Sequence, residues 1–311
     1  MEGLSLSADA YQQTLSGPAF CAGIGVHGGL RARLVMRPAA PGTGIRFIRT
    51  DITDRYNIIE ARGDRVSEVQ LGTTLSNNEG VSVAVVEHLL AACAGMGLDN
   101  AIMEVDAPEI PVMDGSSSVF CSLMERVGLV GQDASRRRIR MSDTLTVRDG
   151  AKWARLGPSE NDVLTMRARI DFESRAIGVQ EMSLRLEPGL FARDLAFART
   201  FGFARDVDKL KAMGLARGGS LDNAVVIDGN TVVNPEGLRA GDEFIRHKLL
   251  DAVGDLFLAG APIAGLYEAE QPGHALNNKL VRALLDTPDA WCWEPAEALE
   301  DAEAAPVRVR A

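Results

Sequence analysis

Two short runs of the chain hold residue types suited to acid–base or metal chemistry. In Val86-Glu87-His88-Leu89-Leu90 a carboxylate and an imidazole are adjacent. In His247-Lys248-Leu249-Leu250-Asp251-Ala252-Val253-Gly254-Asp255, His247, Asp251 and Asp255 stand four apart. Residues four apart on a helix stack along one face. His247 and Asp251 are therefore either a metal-ligand pair or an i, i+4 ion pair on a solvated face. If His88 joins them, two nitrogens and one carboxylate leave the fourth position of a tetrahedral zinc to water. Such a water loses its proton near pH ~7 rather than ~15.7. Glu87 then becomes a general base. His274, held charged by Asp255, becomes the acid that protonates a leaving nitrogen. Lys248 adds positive charge for an oxyanion or a phosphate, and the Thr200 hydroxyl can donate to a tetrahedral intermediate. Together these groups make a complete set for metal-assisted amide hydrolysis. Singly, each has a plain alternative: Glu87 as a helix-surface acid, Lys248 as a snorkelling chain, His274 as a helix cap.

The elements that must position these groups follow from pattern. Residues 243–255 contain no proline and carry Phe244, Ile245, Leu249, Leu250 and Val253 around most of a helix, with Leu256 and Phe257 continuing it. A polar stripe on such a helix is buried, and buried charge must be paired or metal-bound. Val81 to Gly95 also reads as a helix, closed by glycine. Strands are expected over 30–37, 45–49, 71–75, 100–105, 164–172 and 263–267, with a hairpin around Asp228-Gly229. A short amphipathic helix places Val207, Leu210 and Met213 on one side, and a last helix begins near His274. The loop 106–115 holds Asp106, Glu109 and Asp114; the first two read as turn acids, and Asp114 stays a candidate ligand. Residues 131–140 are polar and basic and read as a linker. From Glu294 onward the tail reads as disordered.

Gly23, Gly25 and Gly28 match GxGxxG, but a strand rather than a helix follows, so this is no dinucleotide fingerprint. The glycines instead let a turn bring His27 close to another segment. Each half of the chain runs strands, an apolar helix with a histidine, then a strand. This suggests two similar α+β domains with both histidines at a shared interface.

Composition narrows the class. The 311 residues are 46% hydrophobic and 24% charged, with a net charge of −10, which argues against a nucleic-acid partner. Four cysteines (Cys21, Cys93, Cys121, Cys292) form no CxxC pair and read as reduced thiols. The first twenty residues lack a signal-peptide core, and no apolar run nears the ~20 residues of a span. A cytoplasmic protein without stable membrane insertion is expected. Oligomeric state leaves no mark on the sequence.

Five motifs in order, namely the two runs above with Ala107-Pro108-Glu109-Ile110-Pro111-Val112-Met113-Asp114-Gly115, Ala198-Arg199-Thr200-Phe201-Gly202-Phe203 and Gly273-His274-Ala275-Leu276-Asn277-Asn278, strongly resemble the UDP-3-O-acyl-N-acetylglucosamine deacetylase family of lipid A synthesis, from about residue 12 to 290. The resemblance implies an α+β fold of two similar domains (1–133 and 134–293, with a tail over 294–311), helices sandwiched between two sheets, and the metal at their junction. It implies His88, His247 and Asp251 as ligands of Zn2+, with Fe2+ also suited to such a set. It further implies Glu87 as base, His274 backed by Asp255 as acid, and Lys248 and Thr200 as substrate contacts. The substrate would be a UDP-linked acylated amino sugar. Its acyl chain would run through an insert at about 204–226, with Val207, Leu210, Ala216 and Leu221 as walls and Phe172 and Phe201 beside them. Gln271, Ser174-Arg175 and Gly28 depart from the residues common in the family, which bears on nucleotide affinity and acyl preference. Two other readings stand beside this one: a related amidohydrolase acting on another acylated substrate, and a catalytically silent binding protein.

Overall fold

Along Arg31–Pro38 the small and apolar residues Ala32, Leu34 and Met36 are buried, while Arg31, Arg33 and Arg37 face water. This period of two lays a strand with one face on a core, and the same logic builds most of the molecule. The computed structural model describes residues 10–187 and 189–295. The first half contains β1 (Tyr11–Leu15), β2 (Ala19–Ile24), β3 (Arg31–Pro38), β4 (Ile45–Arg49), β5 (Ile58–Glu60), β6 (Val66–Glu68), β7 (Thr74–Ser76), β8 (Ser82–Val83), α1 (Glu87–Met96), β9 (Ala101–Val105), α2 (Ser118–Val127) and β10 (Leu129–Ser135). The second contains β11 (Arg137–Met141), β12 (Leu145–Asp149), β13 (Lys152–Gly157), β14 (Leu164–Asp171), β15 (Val179–Arg185), α3 (Leu190–Asp194), β16 (Phe201–Phe203), α4 (Ala204–Ala212), β17 (Val225–Asp228), β18 (Thr231–Val232), α5 (Glu243–Phe257), β19 (Ile263–Glu270), α6 (His274–Asp286) and β20 (Trp291–Pro295).

The fold is α+β, and its two largest sheets share one five-strand topology. The first runs β2-β3-β9-β4-β5 and the second β12-β13-β19-β14-β15. In each, the strand after the histidine-bearing helix sits in the middle. There it is antiparallel to one hairpin and parallel to the other: β9 to β3 and β4, β19 to β13 and β14. The helix α5 packs on β14 and β15 on one side and on α1 on the other. A single apolar core runs through both halves.

The α1–α5 crossing is unusually close. A Cβ at Gly254 would overlap the Glu87 carbonyl and stand 3.1 Å from the Ala91 amide. This contact sets the first turn of α1 against the middle of α5, between Asp251 and Asp255. Gly254→Ala is expected to force the helices apart at a cost of about 1–3 kcal/mol or more. Thermal unfolding checks this, and an unchanged Tm would remove the crossing as a constraint.

Several expectations need correction. The first helix begins at Glu87, not at Val81. Ser82–Val83 pairs with β7, in keeping with the extended preference of the β-branched valines around it, and left-handed Val85 (φ +60°) separates that strand from the helix. Residues 131–140, the expected linker, are mostly strand. They form β10, paired with β1, and β11, paired with β19 and β20. Some of their polar side chains face outward, but Arg138 is buried and Gln132 bonds Asn100 and the Ala39 carbonyl. The tail begins later than Glu294, which lies in β20 and accepts from Arg138 and Arg140 Nε at 2.9 and 2.8 Å. The rest of the expected tail, 296–311, lies outside the described residues. The strand expected over 71–75 shortens to β7, with Leu71 in a left-handed turn (φ +59°). No helix among the described residues is long and apolar enough to cross a membrane.

Candidate metal centre

The crossing of α1 and α5 brings His88, His247 and Asp251 together, all buried. Asp251 Oδ1 lies 3.5 Å from His88 Nε2 and 3.3 Å from His247 Nε2. The two imidazoles meet edge to face with centroids 5.1 Å apart, and the three donor atoms lie within 4.8 Å of one another. Ligand bonds of ~2.0–2.2 Å in a tetrahedron put donors about 3.3–3.5 Å apart, so the histidine–aspartate spacings match. Asp251 Oδ1 is buried and accepts no hydrogen bond, an arrangement that is unfavourable unless a cation faces it. His247 Nδ1 lies 3.2 Å from the Ala198 carbonyl, which fixes the tautomer and leaves the Nε2 lone pair for a metal. Burial pushes the His247 imidazolium down to about 3, so the ring is neutral, as a ligand must be. The donor set therefore fits a divalent N/O-loving metal.

A second layer of groups lies beside this cluster. Asp255 Oδ2 accepts from His274 Nδ1 and Asn277 Nδ2, each at 2.9 Å, and its Oδ1 accepts from the Thr73 hydroxyl at 2.6 Å. The Thr73 amide donates to Glu87 Oε2 at 2.9 Å, while Glu87 Oε1 is 3.9 Å from His274 Nε2. Lys248 Nζ binds Asp251 Oδ2 at 2.7 Å. Burial lowers the His274 pKa, but Asp255, Asp251 and Glu87 outweigh it and push it up to about 10. Because that value lies above the ordinary 6.5, the imidazolium's stabilising contribution is whole below about pH 6.5 and is lost as pH climbs through about 10. In metal-free protein, Asp255→Asn is expected to bring the His274 NMR titration down toward its ordinary value. No movement would show that Asp255 does not hold the charge.

The segment before β16 is locked to the start of α5 by a buried ion pair. Arg199 donates to Glu243 through Nε at 2.8 Å and Nη2 at 3.2 Å, and its amide reaches Glu243 Oε1 at 3.1 Å. Breaking such a pair strands a buried charge. It places Ala198 against His247 and Thr200 between Gly115 and Val225, its amide donating to Gly115 O and its carbonyl accepting from Val225 N. Phe201 lies against His247 at 6.0 Å and Phe244 at 5.0 Å, with Phe172 5.9 Å away and Lys248 Nζ 5.7 Å over its ring. An aromatic wall thus leads off from the centre.

All eight metal and acid–base residues singled out in the sequence, except Thr200, are joined by side-chain contacts. Of the expected passage walls, Val207 and Leu210 are half-buried on α4, which buries no residue, Ala216 is half-buried after it, and Leu221 is exposed. Asp114 is no ligand; it accepts from Ser116 and pairs with Arg239 at 2.9 Å. Asp106 pairs with Arg33, as a turn acid does. Gln271 (φ +56°) takes its side chain to the Asp171 carbonyl, and Ser174 Oγ donates to Gly229 O at 2.6 Å. The sequence reading missed Thr73, which sits in a plain Gly-Thr-Thr turn, and the Asn277 contact to Asp255, whose only signal was its place one helical turn after His274.

Comparison with known proteins agrees with this geometry. Residues 12–286 match the family model described as LpxC, UDP-3-O-acyl N-acetylglycosamine deacetylase. The chain is similar to a Phenylobacterium zucineum protein named UDP-3-O-acyl-N-acetylglucosamine deacetylase, 50% identical over 281 residues, 90% of this chain and 95% of that one. Proteins of the same name from Myxococcus xanthus (47% identical, 93% of this chain and 91% of that one) and Shewanella loihica (46%, 90% and 92%) are also similar. A family match over most of the chain and half-identical relatives of nearly its full length show that the chain belongs to the LpxC family of UDP-3-O-acyl N-acetylglycosamine deacetylases.

Proposed function

We propose that this protein hydrolyses the 2-acetamido group of UDP-3-O-acyl-N-acetylglucosamine, a step of lipid A synthesis, giving acetate and the free amine, with zinc or Fe2+ held by His88, His247 and Asp251. The observation that carries the reading is the unpartnered Asp251 Oδ1 facing two imidazole nitrogens, with Glu87 and His274 on its flank. A divalent ion bound there supplies a Lewis acid and a water acidic enough to ionise near pH ~7. Glu87, held by the Thr73 amide, takes a proton from the attacking water. The water oxygen bonds to the acetyl carbon, and His274, charged through Asp255, gives its proton to the departing nitrogen as the C–N bond breaks. Lys248 and Thr200 steady the negative oxygen formed on the way. Phe172 and Phe201 begin the apolar side of the substrate site. The insert at about 204–226, with Val207, Leu210, Ala216 and Leu221, takes the acyl chain. The repeated strand order supports a division into two domains near residues 133 and 134.

The test is amine release from UDP-3-O-acyl-N-acetylglucosamine by purified protein, with metal content measured on the same sample. Protein that carries metal and releases no amine would sink the activity. Equal turnover of a substrate without the UDP group would move the assignment to another acylated amide.

A further inference from the structure

The loop 24–30 is the part of the first half that the proposed chemistry does not use. Its glycines wrap a carboxylate of the protein itself. The His27 and Gly28 amides donate to Glu109 Oε1 and Oε2 at 2.9 and 2.6 Å, and a Cβ at Gly28 would stand 2.9 Å from Oε2. The insert interlocks with this loop. Arg217 and Gly218 amides donate to the His27 and Val26 carbonyls, both at 3.0 Å, and a Cβ at Gly218 would overlap the Gly25 carbonyl.

The His27 ring reaches two further segments. Nε2 lies 3.0 Å from the Leu71 carbonyl, and Nδ1 accepts from the Ala216 amide at 3.4 Å. A carbonyl only accepts and an amide N–H only donates, so one neutral tautomer, protonated at Nε2, serves both. Both partners are non-glycine residues in left-handed backbone, Leu71 at φ +59° and Ala216 at +53°. Such backbone persists where its surroundings over-determine it, and it gathers at ligand clamps and switch regions. Leu71 is two residues from Thr73, whose amide holds Glu87 and whose hydroxyl holds Asp255. Ala216 belongs to the insert.

We propose that His27 is a positioning residue that couples the acyl-binding insert to the Leu71–Thr73 turn, so that order in the one is felt by the acid–base pair held by the other. The proposal rests on the deacetylase reading above. Two conservative variants separate its halves. His27→Asn keeps an acceptor near the Nδ1 position and removes the donor to Leu71. His27→Gln carries an amide NH2 to the Nε2 position and removes the acceptor for Ala216. Each loss is about the size of one hydrogen bond, roughly 3- to 10-fold. His27→Asn is expected to lower kcat by that factor with KM held within about twofold. His27→Gln is expected to lower kcat by a similar factor and, because it frees the insert, to raise KM for the acylated substrate as well.

Hydrogen exchange reads the same tie without turnover: faster exchange at Thr73 in both variants, and at residues 213–219 in His27→Gln. Parental kcat in His27→Gln, or exchange at Thr73 unchanged in both variants, would overturn the coupling. A parent protein that releases no amine would overturn the deacetylase reading instead, and the exchange pattern then decides the His27 clasp alone.

Discussion

Alanine in place of His247 is expected to remove metal and turnover together. His247 supplies one of three donor atoms, and its ring is pre-set by the Ala198 carbonyl and by burial that keeps it neutral. Without it, only His88 and Asp251 remain, too few for a closed set of protein ligands with one open position. A Lewis acid contributes several kcal/mol to such a reaction, so turnover should fall by at least about 10³-fold. Metal quantification on the purified variant should fall in parallel. A variant that keeps stoichiometric metal and full activity would exclude His247 as a ligand.

Glu87→Ala should behave in the opposite way toward the metal: bound metal is retained and turnover drops about 10²- to 10⁴-fold, the range for loss of a general base. Glu87 stands beside His88 in sequence but outside the donor cluster, its Oε2 held by the Thr73 amide and its Oε1 facing His274. Glu87→Gln sharpens the result, because its amide oxygen still accepts from Thr73 while it can no longer take a proton. If Glu87→Gln keeps parental turnover, proton removal by this residue is ruled out. If both Glu87 variants lose metal, the residue acts through the site's structure instead.

The GxGxxG match illustrates how far local pattern reaches. Its rejection as a nucleotide fingerprint needed only the strand that follows it, which the alternation of Ala32, Leu34 and Met36 made plain. That the glycines let His27 approach another segment was also readable. Which segment it approaches was not, because Leu71 and Ala216 are 44 and 189 residues away. The misplaced start of α1 has a similar origin. The run 81–86 has the apolar character of a buried helix, and the pairing of Ser82–Val83 with β7 and the left-handed Val85 show that the helix starts after it.

By itself, the sequence determined the chemistry available: the four-residue spacing of His247, Asp251 and Asp255, the Glu87-His88 pair, and the repeated order of strands and helices. Those are local periodicities, written in side-chain type and spacing. Only the tertiary structure decided that His88 meets His247, that Thr73, 182 residues before Asp255, joins it to Glu87, and that Asp114 turns to Arg239 rather than to the His88–His247–Asp251 cluster. These outcomes depend on the Gly254 crossing and on which buried polar groups find partners, and no period along the chain encodes such meetings.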